Sequence, residues 1–313
     1  MTATRTLDRL PVSRLTDGRE LELVVHRLTG SADGPRLILL GGVHGDEPIG
    51  VEIVRRAVET LSGLDFEGEV LAIPVCNPLA LHALNRNSPL DGGNLNRVMP
   101  GDQQGTITDR IGAVLADFLR TSGGTHLIDL HSGGNQATVD YVYLDTDGPE
   151  VATAYGSPLL YDHNPYQGTT TDVAKSAGMK VMVSELGGGG QRIDHFVSRG
   201  VTGISNVMRR IGMLPGEPEP PLAPQRVVHE ISRIGPLQGG FLISEYGADR
   251  LGEEVPEGTL LGRVYDPYTF ELLEELRAPY PANILVLARE PMTVVAPGDF
   301  GFMVANAATA TPL

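Results

Sequence analysis

RLILLGGVHGDEPIGVEIVRRAVETL, residues 36–61, is the stretch from which the fold can be read. A short apolar run stops at a pair of glycines, His44 and Glu47 follow within the turn, and the apolar residues beyond recur at the spacing of an amphipathic helix. The unit repeats along the chain. EVLAIPV (69–75) is another apolar run, ITDRIGAVLADFLR (107–120) is a helical pattern leading into THLIDLHS (125–132), and MKVMVSEL (179–186) leads into RIDHFVSRGVTGISNVMRRIGML (192–214). Short buried β runs alternating with amphipathic helices predict an α/β fold, its mostly parallel or mixed sheet flanked by helices.

After this the rhythm changes. PGEPEPPLAP (215–224) is too rich in Pro and Glu to pack a core or sustain a helix, so residues 215–225 read as a linker. It separates a first domain, 1–214, from a second lobe, 226–313. There RVVHEI, GGFLIS, TLLGRVYD, FELLEEL, ANILVLA and DFGFMVA are short and β-rich, with Gly and Pro turns between them. A small all-β barrel or sandwich is expected.

Composition narrows the function. The 313 residues carry 24 Lys plus Arg against 39 Asp plus Glu, a net charge of −15 and a pI near 4.9. Such a surface repels phosphate backbones, which argues against nucleic-acid binding. No apolar run reaches the roughly 18–20 residues of a membrane span, and MTATRTLDRLPVSRL lacks a signal-peptide core. The expectation is a soluble cytoplasmic protein with no membrane partner. Cys76 stands alone and cannot close an internal disulfide; it reads as a small packing residue.

Reactive groups in open α/β sheets collect at the carboxyl ends of strands, and three such places stand out. At the first, His44 and Glu47 sit three apart on a glycine turn and could face one metal ion, but alone they read as well as a polar cap residue and a first-turn acid. The second is HLIDLHSGG, where His131 ends an apolar strand and completes a His, Glu, His set. Hydrolytic zinc is typically held by three N or O ligands with a fourth position left for water. Asp129, on the same strand face, could orient an imidazole or bond backbone as a strand-end acid. The third is VMVSELGGGG, which delivers Glu185 from a very apolar strand into a glycine loop, where it could serve as general base and then acid. Between them runs CNPLALHALNRNSPLDGGNLNRVMPGD (76–102), too long for a simple connection. Its Arg86, Asn96 and Arg97 supply donors for a developing oxyanion and a fork for a substrate carboxylate. Tyr280, in RAPYPAN, could reach a substrate from the second lobe or simply pack at the lobe interface. His26, His82, His126, His163, His195 and His229 read as ordinary polar residues.

GGVHGDE, DGGNLNRVMPG, DLHSGG and SELGGGG, in that order, resemble the succinylglutamate desuccinylase/aspartoacylase family, a branch of the zinc carboxypeptidase-like amidohydrolases. The resemblance spans about residues 36 to 313 and extends to a β domain over the active-site mouth. It implies one Zn2+ per chain on His44, Glu47 and His131, with Glu185 as general base and acid. It also implies Arg86 at the oxyanion, Asn96 and Arg97 on an α-carboxylate, and a homodimer. The implied reaction is hydrolysis of the amide of a small N-acyl amino acid, of the N-acetyl-diaminobutyrate, succinylglutamate or aspartate type. Arg192 is a candidate for a second carboxylate. Two other readings compete: a metallocarboxypeptidase acting on short peptides, and a non-catalytic zinc-binding protein. Turns such as VPEGT and VAPGDF look like those of biotinyl or lipoyl carriers, but residues 226–313 contain no lysine to modify.

Overall fold

The segment read at 36–61 folds as strand Ala32–Leu40, a tight turn and helix Pro48–Ser62. The structure, a computed structural model, describes residues 2–145, 147–163, 166–191 and 193–313. Leu37, Ile38, Leu39 and Leu40 are fully buried, as a strand covered on both faces requires. Leu37 and Leu39 face the inward stripe of helix Pro48–Ser62, including Ile53, Val54 and Leu61. Ile38 and Leu40 face the other way, toward Ile111, Leu115 and Leu119 of helix Ile107–Thr121. One strand thus divides two cores, and each helix buries a single apolar face.

Strand Ala32–Leu40 runs parallel to Glu67–Ile73 on one side and to His126–His131 on the other, and His126–His131 runs parallel to Lys180–Glu185. This parallel centre agrees with the alternation in the sequence. It is extended by elements the sequence reading omits. The hairpin of Thr4–Arg14 and Glu20–Thr29 joins antiparallel beyond Glu67–Ile73. Tyr141–Tyr143 pairs antiparallel with Lys180–Glu185 and parallel with Leu159–Tyr161. With Arg226–Val228 and Thr311–Pro312 the mixed sheet reaches ten strands.

The C-terminal segment builds two further antiparallel sheets around Leu242, Val264, Leu276, Leu285 and Phe302. The pairing crosses the Pro-rich run in both directions. Arg226–Val228 extends the large sheet beside Leu159–Tyr161, while Ala137–Thr138 pairs with Ala282–Ala288. Tyr141, Tyr143 and Val183 share a core with Ile284 and Val286. The Pro-rich run is itself tethered: Asn206 accepts from Glu219 N at 2.8 Å and donates to Glu219 O at 3.1 Å. Among the described residues no helix is long and apolar enough to cross a membrane.

Gly50 shows how closely helix Pro48–Ser62 lies on the sheet, because a Cβ there would stand 2.3 Å from Leu130 O. In a free helix Gly→Ala gains roughly 1 kcal/mol. Here the overlap costs about 1–3 kcal/mol, so Gly50→Ala is expected to lower the urea midpoint; a raised midpoint contradicts this packing.

Candidate metal centre and active-site cleft

Glu47 occupies the N-cap position of helix Pro48–Ser62 but makes no side-chain cap to it. Its carboxylate instead reaches sideways into the sheet. Oε1 lies 2.8 Å from His44 Nδ1 and Oε2 lies 2.8 Å from His131 Nδ1, while Ser132 N donates to Oε2 at 3.3 Å. The turn that allows this depends on Gly45, where a Cβ would fall 1.9 Å from the carbonyl carbon of Ala80. All three side chains are buried, and one potential ligand atom from each lies within 4.8 Å of the others.

The charges follow from this geometry. Burial pushes the Glu47 carboxyl up, but the two imidazoles beside it outweigh that and hold it well below the usual carboxylate range. Burial pushes His44 down, leaving it neutral despite Glu47. Burial also opposes charge on His131, yet Asp129 and Glu47 on either side hold its proton well above the ordinary range. The second ring nitrogens are also engaged: His131 Nε2 is 3.2 Å from Asp129 Oδ2, and His44 Nε2 is 3.1 Å from Asn94 Oδ1. Two imidazoles and a carboxylate, with outer partners that fix the rings, suit a divalent metal of zinc type, which would replace the proton on His131 Nδ1.

His131 and Glu185 are direct register partners on adjacent parallel strands, about 4.8 Å apart across the sheet. Glu185 lines a cleft with His44, His131, Arg86, Asn96 and Arg97. Burial pushes the carboxyl up to about 8; the His131 charge pulls it down, and Glu47 pushes it further up. Arg86 Nη1 donates to Glu47 Oε1 at 2.8 Å. Arg97 donates to Asn96 O at 2.5 Å, and its guanidinium sits 4.0 Å over the ring of Tyr166.

The structure therefore gathers His44, Glu47, His131, Arg86, Asn96, Arg97 and Glu185. It places Tyr280 elsewhere: the hydroxyl is 2.6 Å from Ser232 Oγ, Asn283 accepts from its backbone N–H, and the ring packs on the C-terminal core. Tyr280 is not among the residues lining the cleft. Arg192 lies outside the described residues. Asn94, Tyr143 and Tyr166 escaped the sequence reading. Asn94 stands two residues before Asn96 in GGNLNR, the one local signal that could have drawn it in.

The large mixed α/β sheet carries a buried imidazole–carboxylate–imidazole cluster that could hold a metal ion. The model of the succinylglutamate desuccinylase/aspartoacylase catalytic domain matches residues 33–211, and the chain belongs to that family. It is 30% identical over 275 residues to N-alpha-acetyl-L-2,4-diaminobutyric acid deacetylase of Halomonas elongata, covering 82% of this chain and 78% of that one. Among solved structures, a succinylglutamate desuccinylase/aspartoacylase from Rhodobacter sphaeroides superposes with a TM-score of 0.83 at 24% identity, over 98% of this chain and 96% of that one. The product-bound ectoine utilization protein EutE (DoeB) of Ruegeria pomeroyi also gives 0.83 at 24% identity, over 97% and 98%. At that identity the two structures establish the fold.

Glu185 yields a pH prediction. Held near 8 in the folded protein against an ordinary value of 4.5, it keeps a proton that the unfolded chain releases. The stability this contributes is full below pH 4.5 and is lost as pH rises toward 8. In chelator-treated protein, Glu185→Gln is therefore expected to gain in urea midpoint over the wild type between pH 5 and pH 8; a constant gap counts against the buried, raised carboxyl.

Proposed function

We propose that the protein hydrolyses the amide of a small N-acyl amino acid with zinc held by His44, Glu47 and His131, and that N-acetyl-diaminobutyrate is the leading substrate. The observation that carries this reading is the juxtaposition of the buried triad with a protonatable Glu185 one strand away. When bound, zinc would supply Lewis acidity toward the acyl oxygen and acidify water at the cluster.

The protein's residues account for the rest. Arg97, immobilised over Tyr166, and Asn96 hold the substrate α-carboxylate. Glu185 takes a proton from the attacking water through a carboxylate oxygen, hydroxide adds to the acyl carbon, and Arg86 donates to the oxygen on which charge develops. As the C–N bond breaks, the proton held by Glu185 passes to the nitrogen, giving a carboxylic acid and an amine; the acid's proton then moves to the amine, and the products leave as carboxylate and ammonium. A metal cation beside Glu185 would lower its affinity for that proton from the metal-free level, favouring the base form.

The substrate assignment rests on two supports. The relative from Halomonas elongata carries that activity in its name. The cleft also shares Tyr143, Tyr166, Thr171 and Val183 with a second pocket lined by Asp145, Asp162 and Asp172, whose lysine, Lys175, is paired with Asp145 at 2.9 Å. Those surroundings favour a cationic side chain over an acidic one. A carboxypeptidase would need an open groove, whereas Ile284 and Val286 pack against the cleft strands at Tyr143 and Val183.

The test is amine release from a panel of N-acetyl, N-succinyl and N-formyl amino acids and short peptides, with and without chelator. Chelator-sensitive cleavage of N-acetyl-diaminobutyrate, and none of tripeptides, is expected; preferential peptide cleavage overturns the reading. Glu185→Gln is expected to lose at least about 100-fold in kcat with zinc still bound. Arg86→Ala is expected to lose about 100- to 1,000-fold.

A further inference from the structure

Thr170 opens helix Thr170–Ser176 and is fully buried, yet it does not line the cleft. Both of its polar groups are directed at residues that matter there. Its hydroxyl donates to Asp129 Oδ2, the same oxygen that stands 3.2 Å from His131 Nε2. Its backbone N–H, one of the helix-start donors with no partner inside the helix, donates to Asn96 Oδ1 at 3.0 Å. With that oxygen occupied, the Asn96 amide is fixed and its Nδ2 lies on the His131 side, 3.4 Å from Nε2.

The segment leading into Thr170 is fastened to the same neighbours. Met99 N donates to Gly168 O at 3.1 Å, and Gly168, at φ +69°, lies so close to Arg97 that a Cβ would fall 2.4 Å from Arg97 O. Tyr166, two residues earlier, carries the Arg97 guanidinium on its ring.

We infer that Thr170 is a positioning residue that locks a metal-ligand imidazole and the substrate-carboxylate clamp into one arrangement. The hydroxyl steadies Asp129, and through it the orientation of the His131 ring; the N–H steadies Asn96. Direct outer partners of ligand imidazoles typically contribute 10- to 100-fold in metal affinity, and Thr170 acts one contact further out, through Asp129. The inference rests on the metal reading proposed above.

The experiment compares full-length wild type, Thr170→Val and Thr170→Ser. Valine keeps the branched shape and loses the hydroxyl; serine keeps the hydroxyl. Zinc affinity is measured by chelator competition, and KM and kcat are measured on the best substrate of the panel, with melting temperature as the folding control. Thr170→Val, which loses the hydroxyl but keeps the backbone N–H to Asn96, is expected to bind zinc about 10-fold more weakly with a KM within about twofold of wild type, and Thr170→Ser to restore zinc affinity to within about threefold. Should the valine variant not yield folded protein, Thr170→Cys, which keeps a side chain of similar size with a much weaker hydrogen-bonding group, takes its place with the same expected direction. A zinc dissociation constant within twofold of wild type, or a serine variant as impaired as valine, overturns the inference. Failure of wild type itself to bind zinc overturns the metal reading, and this inference with it; normal zinc binding by the valine variant overturns this inference alone.

Discussion

The carboxylate of Glu47 is the constraint around which the rest of the site is arranged. A buried carboxylate must be paired or it gives up its charge, and this one is paired from both sides by imidazoles, one in the turn after the first parallel strand and one at the end of strand His126–His131. For it to arrive there, the chain must turn sharply after the first parallel strand, which requires Gly45 against Ala80. The helix must also begin with a residue whose side chain is not spent on capping. The central strands then need to be parallel and in a register that sets His131 beside Glu185. Fold and centre are thus linked by a few close approaches.

The C-terminal sheets and the large sheet are stitched together rather than joined at one linker. A strand from each side of the Pro-rich run pairs within the other's sheet. The shared core of Tyr141, Tyr143, Val183, Ile284 and Val286 includes a residue of the strand that carries Glu185, and two of its members, Tyr143 and Val183, line the cleft. Burial of Glu185 at the end of that strand is what raises its carboxyl.

The parallel centre was legible because strands covered on both faces must be largely apolar, as Leu37–Leu40 is throughout and Leu127–Leu130 is apart from Asp129, and because glycines follow where they end. The N-terminal hairpin was not, since TRTLDRLPVSR forms an edge strand with much of its surface exposed and no sustained apolar run. His44, Glu47, His131 and Glu185 stood out because each follows a buried strand. Thr170 did not, because its role is set by contacts with Asn96 and Asp129, 74 and 41 residues away, that nothing local announces. Tyr280 carried two readings, reach to a substrate or packing between the lobes, and the structure places its hydroxyl beside Ser232 and its ring on the C-terminal core.

The central claim is that His44, Glu47 and His131 hold a zinc ion. It is tested most directly by anomalous diffraction at the zinc edge from crystals grown with zinc. The account predicts one peak per chain, about 2.0–2.2 Å from the Nδ1 atoms of His44 and His131 and from a carboxylate oxygen of Glu47. A map with no peak there, or with its only peak outside this triad, would contradict it.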